Sequence, residues 1–256
     1  MKLYIDGDIS RYYVQTLCMI FFPGAKFPEN EEFLPGGDEV TVNLRSSERT
    51  YDAEVIMRSG GKSCVGRRCE IRGGIDSDER LKKRAVGKAL YDAGAELFGF
   101  YPDWGILTGV RPAKLAAELM RLAELDGYDD PAAEADRILT GDYCASPDKA
   151  RLLTAVARNE ERLIESFGKN TCSVYASRPF CPTRCAYCSF VSYSTKRLLS
   201  LIPEYVERIC TDIERLGRTL SEIGQKPSAV YIGGGTPTIL DAAQIEKILR
   251  CIDKNI

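Results

Sequence analysis

Three cysteines crowd into eight residues: Cys181, Cys185 and Cys188, in the run CPTRCAYC, with Tyr187 directly before the last thiol. Three thiolates this close can wrap one metal centre, so the surrounding chain must fold to hold a ligand loop. The number of thiols matters. A closed structural zinc site or an ordinary electron-transfer cluster takes four ligands, usually cysteine or histidine. Histidine is absent from the chain, and no fourth cysteine lies within a few residues. On a four-iron cube, three thiolates leave one iron open to a ligand from solution. A zinc knuckle completed by a distant cysteine and three incidental thiols are the alternatives.

A second motif lies downstream, in the run VYIGGGTPT that begins at Val230. It reads as a buried strand running into a glycine turn. Gly233, Gly234 and Gly235 permit positive φ and let a ligand approach with no Cβ in the way. Their N–H groups can form a concave donor site. Alone, such a turn is a strand-to-helix loop. One βα unit after the three-cysteine loop, it points to a shared ligand.

The 256 residues suffice for one large domain or two modest ones, and 44% hydrophobic residues suffice for real cores. Thirty-five lysines and arginines against 37 acidic residues give nothing that suggests a general nucleic-acid or membrane surface. Ten cysteines would suit a disulfide protein in a secretory context. The first residues, MKLYIDGD, lack a signal-peptide apolar core and read as a strand ending at an acidic turn. The apolar stretch over 14–22 is too short for a bilayer and is broken by Gln15 and Thr16. The expectation is a reducing cytoplasm in which the other seven cysteines, the Cys64 and Cys69 pair included, are ordinary free thiols.

Along the chain, residues 2–6 alternate as a strand and a short helix follows to about Met19. Pro-Gly pairs at Pro23 and Pro35 punctuate a loop. Val40, Val42 and Leu44, then Tyr51, Ala53, Val55 and Met57, alternate at period two across a polar turn and predict a β-hairpin with one buried face. A helix begins at Asp76-Ser77-Asp78, with Val86, Ala89, Leu90, Ala93 and Leu97 on one face. Residues 1–101 therefore read as a small α+β domain without a nucleophile and base, a phosphate loop or a metal cluster. Residues 102–170 read as a helical connector. It opens on PDWGILTGVRPAK, which carries the only tryptophan and a helix start at Pro112. In this run Arg111 and Lys114 either face an anionic substrate or merely lie beside a capped helix.

From Thr171 the pattern becomes strand, loop, helix, strand, loop, helix. The first helix carries the stripe Ile202, Val206, Ile209, Ile213, Leu216, Leu220 and Ile223. The second is capped by Asp241 and turns Ile245, Ile248, Leu249 and Ile252 inward. Such units imply parallel strands, and both motifs then fall at the C-terminal ends of neighbouring strands, where α/β folds place their sites.

The run SVYASRPFCPTRCAYCSF, the later YIGGGTPT and the upstream GILTGVRPAKL together resemble the radical S-adenosylmethionine (SAM) superfamily, and within it the oxygen-independent coproporphyrinogen III dehydrogenase family, HemZ-type. The resemblance implies an α/β fold: an N-terminal α+β domain and helical connector, then, over 171–256, the first two βα units of a partial (βα)6 barrel belonging to a longer protein. It implies a 4Fe-4S cluster on Cys181, Cys185 and Cys188. It implies SAM held by Tyr175, Tyr187, Gly233, Gly234, Gly235 and Thr236. No catalytic residue is assigned. The reaction implied is oxidative decarboxylation of coproporphyrinogen propionates to vinyl groups in haem biosynthesis. Reduced flavodoxin or a ferredoxin-type protein would be the electron donor, with no nucleic-acid or membrane partner. Arg111, Lys114, Arg178, Arg184, Lys196 and Arg197 are candidates to pair with propionates. One departure matters: the best-known members carry a cysteine where this chain has Phe190, and a Cys-x-Phe ending resembles the related haem chaperones.

Overall fold

The computed structural model describes residues 1–28, 37–73, 76–108 and 111–256. The expected turn at Leu34-Pro35-Gly36 and Gly109-Val110 of the GILTGVRPAKL run lie outside them. The fold is mixed α and β, and the chain divides into two compact units, Met1–Arg162 and Leu163–Ile256.

In the first unit a four-stranded sheet runs in the order β1 (Lys2–Asp6), β2 (Glu39–Ser46), β3 (Thr50–Ser59) and β4 (Lys62–Ile71). β1 pairs parallel with β2, and the other pairings are antiparallel. The period-two residues of β2 and β3 all point inward: Val40, Val42, Val55 and Met57 are fully buried, with Leu44, Tyr51 and Ala53 nearly so. α1 (Arg11–Phe21) and α2 (Asp78–Phe98) complete this core. Ser77 caps α2 by accepting from the Arg80 N–H, and Gly99 ends it with φ +64°. Ala85, Ala89 and Ala93 give α2 a smooth face, so the sheet approaches closely. A Cβ on Gly66 of β4 would lie 1.9 Å from the Ala89 carbonyl oxygen.

The sequence reading contains no β4. Its inward positions offer Cys64, Gly66, Arg68 and Glu70 in place of an apolar alternation. Arg68 reaches Asp92 of α2, and Glu70 is buried against Arg84 and Lys88.

α3 (Pro112–Leu125), α4 (Pro131–Gly141) and α5 (Pro147–Ser166) form a second core around Leu119, Met120, Leu139 and Leu153. Pro112 and Pro131 each open a helix, where a missing N–H costs nothing. A chain of ion pairs joins this core to the sheet: Arg84 contacts Glu70, Asp76 and Asp142, and Lys88 contacts Glu70 and Asp142.

In the second unit β5 (Thr171–Arg178) and β6 (Lys226–Gly234) pair in parallel. A short helix α6 (Lys196–Leu199) and the long α7 (Ile202–Glu222) connect them, and α8 (Ala242–Asn255) follows. Asp241 and Gln244 close a capping box on α8. α7 and α8 pack through Val206, Cys210, Ile213 and Ile248, touching closely where a Cβ on Gly217 would lie 2.0 Å from the Asn255 carbonyl oxygen. The apolar stripes are wider than the surface that covers them. Leu216, Ile223 and Leu249, expected inward, are exposed, because packing takes up only the arc centred on Val206, Cys210 and Ile213.

Candidate functional site

The site grows from the C-terminal ends of β5 and β6. Parallel pairing sets Tyr175 beside Tyr231, Ser177 beside Gly233 and Arg178 beside Gly234. Successive β5 side chains alternate, so Val174, Ala176 and Arg178 are buried while Tyr175 and Ser177 face the other way and are exposed. The Tyr175 and Tyr231 rings stack on that open face, 5.4 Å apart and 12° from parallel.

Beyond Arg178 the chain continues alongside the glycine turn. The Gly235 N–H donates to the Arg178 carbonyl at 2.5 Å and the Thr236 N–H to the Phe180 carbonyl at 2.8 Å. The turn is possible because its residues lack Cβ atoms. Gly234 has φ +101°, and a Cβ there would stand 2.2 Å from the Arg178 carbonyl oxygen. On Gly235 a Cβ would stand 2.5 Å from the Phe180 carbonyl oxygen and 2.7 Å from Cys181 Sγ. On Gly233 it would stand 2.7 Å from the Tyr175 hydroxyl. Each glycine admits a different part of the site: the strand backbone, the first thiol and the aromatic pair.

The thiol loop is an excursion closed at its base. Phe180 bridges Tyr193, the Cys181 N–H donates to the Tyr193 carbonyl at 3.1 Å, and the Tyr193 N–H to the Pro179 carbonyl at 2.6 Å. Phe180 is buried, with edge contacts to the rings of Tyr193 and Tyr205. Cys181 is buried at this base, Cys188 half-buried, and Cys185 exposed, with the Cys188 N–H bonded to the Cys185 carbonyl at 3.0 Å. Tyr187 is 90% exposed, and its hydroxyl is raised above the ordinary tyrosine value, first by the hydrogen bond to Cys185.

The structure therefore brings Cys181, Gly235, Thr236 and the strand ends together, with Gly233 under Tyr175. It does not draw Tyr187, Cys185 and Cys188 inward. Among the described residues no three His, Cys, Asp or Glu side chains are grouped as a metal site. The donor chemistry fits an iron–sulfur cluster: three free thiols on one loop, one seated against a glycine cradle and two accessible from outside.

Of the candidate cations, Arg111, Lys114, Arg184, Lys196 and Arg197 are exposed, whereas Arg178 is buried at 3% exposure. Its Nη1 donates to the Pro237 carbonyl at 2.8 Å, and its Nε and Nη2 have no hydrogen-bond partner among the described residues. Burial lowers its pKa. Tyr205, pushed up to about 12 by burial, remains a phenol and donates to the Ser177 carbonyl at 2.6 Å. Sequence reasoning missed Tyr231. The signal was there: VYASR and VYIGG align by their shared Val-Tyr once the two motif ends are set side by side.

No family model matches the chain. No solved structure matches it either. Curated relatives do. The chain is 30% identical over 150 residues to the oxygen-independent coproporphyrinogen-III oxidase-like protein HemZ of Bacillus subtilis, a stretch covering 58% of this chain and 29% of that protein. It is 39% identical over 87 residues to the haem chaperone HemW of Buchnera aphidicola, 33% of this chain and 22% of that one. To HemW of Haemophilus influenzae it is 38% identical over 88 residues, with the same two shares. The aligned stretches span less than a third of these relatives. No helix is long and apolar enough to cross a membrane among the described residues.

Proposed function

We propose that the chain is the thiol-loop portion of a radical SAM protein of the haem-related HemZ and HemW group, acting in the cytoplasm on a porphyrinogen. Cys181, Cys185 and Cys188 would hold a 4Fe-4S cluster, and Tyr175, Tyr187, Gly233, Gly234, Gly235 and Thr236 would line the SAM site. When bound and reduced, by a flavodoxin or ferredoxin-type donor, the cluster would supply the electron for SAM cleavage; oxidative decarboxylation of a coproporphyrinogen propionate to a vinyl group would then give one hydrogen atom to the deoxyadenosyl group, release carbon dioxide and pass one electron to a one-electron acceptor.

One observation carries the reading: a Cβ on Gly235 would meet Cys181 Sγ at 2.7 Å, so the first thiol and the glycine turn form one structural unit. The chain's own contribution is positional. The Phe180–Tyr193 bridge fixes where the loop leaves the sheet, and Cys181 is buried at its base. The accessible Cys185 and Cys188 are free to close around iron. The stacked Tyr175 and Tyr231 rings offer a flat apolar face next to the glycines, suited to a planar ligand group. A partial barrel of six βα units in the whole protein would continue from these two strands.

The test is anaerobic iron–sulfide reconstitution, with electron paramagnetic resonance of the reduced protein with and without SAM. A SAM-dependent change in the signal that Cys185→Ser abolishes is expected. Four protein ligands on the cluster, or stoichiometric zinc in anaerobically purified protein, would end the reading. 5'-Deoxyadenosine released only with coproporphyrinogen, together with vinyl products, supports the substrate.

Phe190, and the similarity to haem chaperones over about a third of the chain, favour a second reading in which haem is carried and not made. Stoichiometric haem binding without porphyrinogen turnover distinguishes it.

A further inference from the structure

In the first compact unit residues 102–105, Leu107, Thr108 and Pro112, around the single tryptophan, wall a cavity of about 710 Å³, bounded also by Ile20, Phe100, Tyr101 and Lys149. This wall is apolar and wet: Trp104 is 39% exposed, Phe100 53% and Tyr101 70%. Contiguous exposed aromatics of this kind mark binding surfaces, and concave apolar sites with a few polar groups take small molecules. The wall is backed by the core, since Phe21 is buried and meets Phe100 edge-on with centroids 6.4 Å apart.

The wall is also held in place. The Gly105 N–H donates to the Pro102 carbonyl, the Ile106 N–H to the Tyr143 carbonyl and the Ser146 N–H to the Asp103 carbonyl, all within 2.8–2.9 Å. Gly105 has φ +54° and lies so close to the facing strand of chain that a Cβ would be 2.1 Å from the Tyr143 carbonyl oxygen. Opposite it, Cys144 has φ +57°, the sole non-glycine residue with positive φ among the described residues. Such backbone persists only where its surroundings over-determine it. This pairing carries the chain into the first turn of α5, so Lys149 Nζ stands 5.1 Å from the Trp104 ring centroid. Lys149 has no ion pair among the described residues.

An aromatic wall with one cation, itself engaged only by a ring, suits a flat aromatic body that carries an anion. We propose that this cavity seats a planar, conjugated porphyrin, its macrocycle against Trp104, Tyr101 and Phe100 and one carboxylate on Lys149 Nζ. The ligand class rests on the second functional reading above, in which haem is carried, since a porphyrinogen with its sp3 bridging carbons is not flat; the cavity and its chemistry do not rest on it. Asp103 lines the same cavity and disfavours a second carboxylate beside it, so the macrocycle enters with a single carboxylate toward Lys149.

Trp104 is the only tryptophan and lines this cavity, so its emission follows ligand binding, and the Lys149 and Tyr101 variants assign that binding to the cavity. Metal-free protein is titrated with coproporphyrin III and with its tetramethyl ester, following Trp104 emission and the porphyrin absorption band. Saturable quenching with one porphyrin per chain is expected, with the ester binding about fivefold or more weakly. Lys149→Ala removes that preference, and Tyr101→Ala weakens both ligands; both side chains lie at the surface of the fold, and circular dichroism checks that the variants are folded. Linear, unsaturable quenching, or a preference for the free acid that survives Lys149→Ala, overturns the proposal. No iron or SAM is present in this titration. A negative result therefore removes the cavity assignment and leaves the thiol reading intact, while failed cluster assembly leaves the titration unchanged.

Discussion

Arg178 is the residue whose surroundings least match its chemistry. A guanidinium at 3% exposure makes one hydrogen bond, and its Nε and Nη2 edge is without an acceptor among the described residues. That edge is the one with which Arg68 and Arg137 each grip both oxygens of a carboxylate elsewhere in the molecule. A buried charge without a counter-ion is unfavourable, and replacing it with an apolar side chain of similar volume is often neutral or stabilising. Arg178→Met is accordingly expected to leave stability unchanged or to raise it by roughly 1 kcal/mol, measured by thermal unfolding of metal-free protein. A loss of more than about 2 kcal/mol would show that the guanidinium is satisfied. Strand alternation from Val174 and Ala176 already pointed Arg178 inward, but its charge argued for the surface, and the sequence alone offered nothing to choose between them. The three cysteines and three glycines stood out in the sequence by type and spacing; the structure sets Cys181 against Gly235 and leaves Cys185 and Cys188 ungrouped among the described residues. Gly235 carries a second expectation. Its φ is not in the left-handed region, so alanine is opposed only by the contacts with the Phe180 carbonyl and Cys181 Sγ. Gly235→Ala should displace Cys181, destabilise the protein by about 1–3 kcal/mol and lower iron bound per chain after reconstitution. Full iron loading in that variant would separate the glycine from the thiol site.

Elements with a clean period were readable in advance, and β4 shows what was not. β2 and β3 alternate because one face meets a core and the other meets water, whereas β4 turns Gly66 and Glu70 inward and spends its charges on pairing: Arg67 with Glu54, Arg68 with Asp92. An edge strand furnished with charges resists pairing with a second molecule, and that service erases the apolar pattern by which strands are recognised. Its place is set by closeness to α2, where Gly66 lies under Ala89. Gly66→Ala must force strand and helix apart, since the clash is with backbone on both sides. The expected cost is about 2–3 kcal/mol, read as a lowered urea midpoint with circular dichroism. Ala89→Gly leaves the Ala89 carbonyl in place and should not rescue it. An unchanged midpoint would mean that β4 does not pack on α2. The stripes of α7 and α8 mislead in the opposite direction: their apolar period is wider than the contact between the helices, and Leu216, Ile223 and Leu249 remain outside it.

Across the whole chain, charge and burial predict different limits at acid and alkaline pH. Three carboxyls are held below their ordinary values in the first unit: Asp52 by hydrogen bonds from Thr50 and Cys69, Asp78 by Arg72 and Tyr51, and Glu134 by Arg137. Their folded forms prefer the carboxylate, so the stability they contribute is complete above the unfolded values of 3.8, 3.8 and 4.5 and is lost as pH falls through the lower folded values. The three anchor β3 to β4, the start of α2 and the start of α4, so acid should loosen the sheet and the helical core of this unit together. At high pH the sign reverses. Burial raises Cys18 from 9.0 to about 12 in the first unit and Cys210 from 9.0 to about 11 in the second. Each contributes stability that is complete below 9.0 and lost as pH rises toward the folded value, because only the unfolded chain ionises readily there. Trp104 lies in the first unit, so its emission should depart from native as pH falls below about 4 and again above about 9, with a plateau between. Cys18→Ala removes one ionisation that favours the unfolded chain at high pH. Its midpoint at neutral pH should be lower, from the lost packing, while the further loss between pH 9.0 and about 12 becomes smaller than in the parent. An alkaline limb that is the same size in both proteins would mean that the Cys18 thiol is not buried in the folded chain.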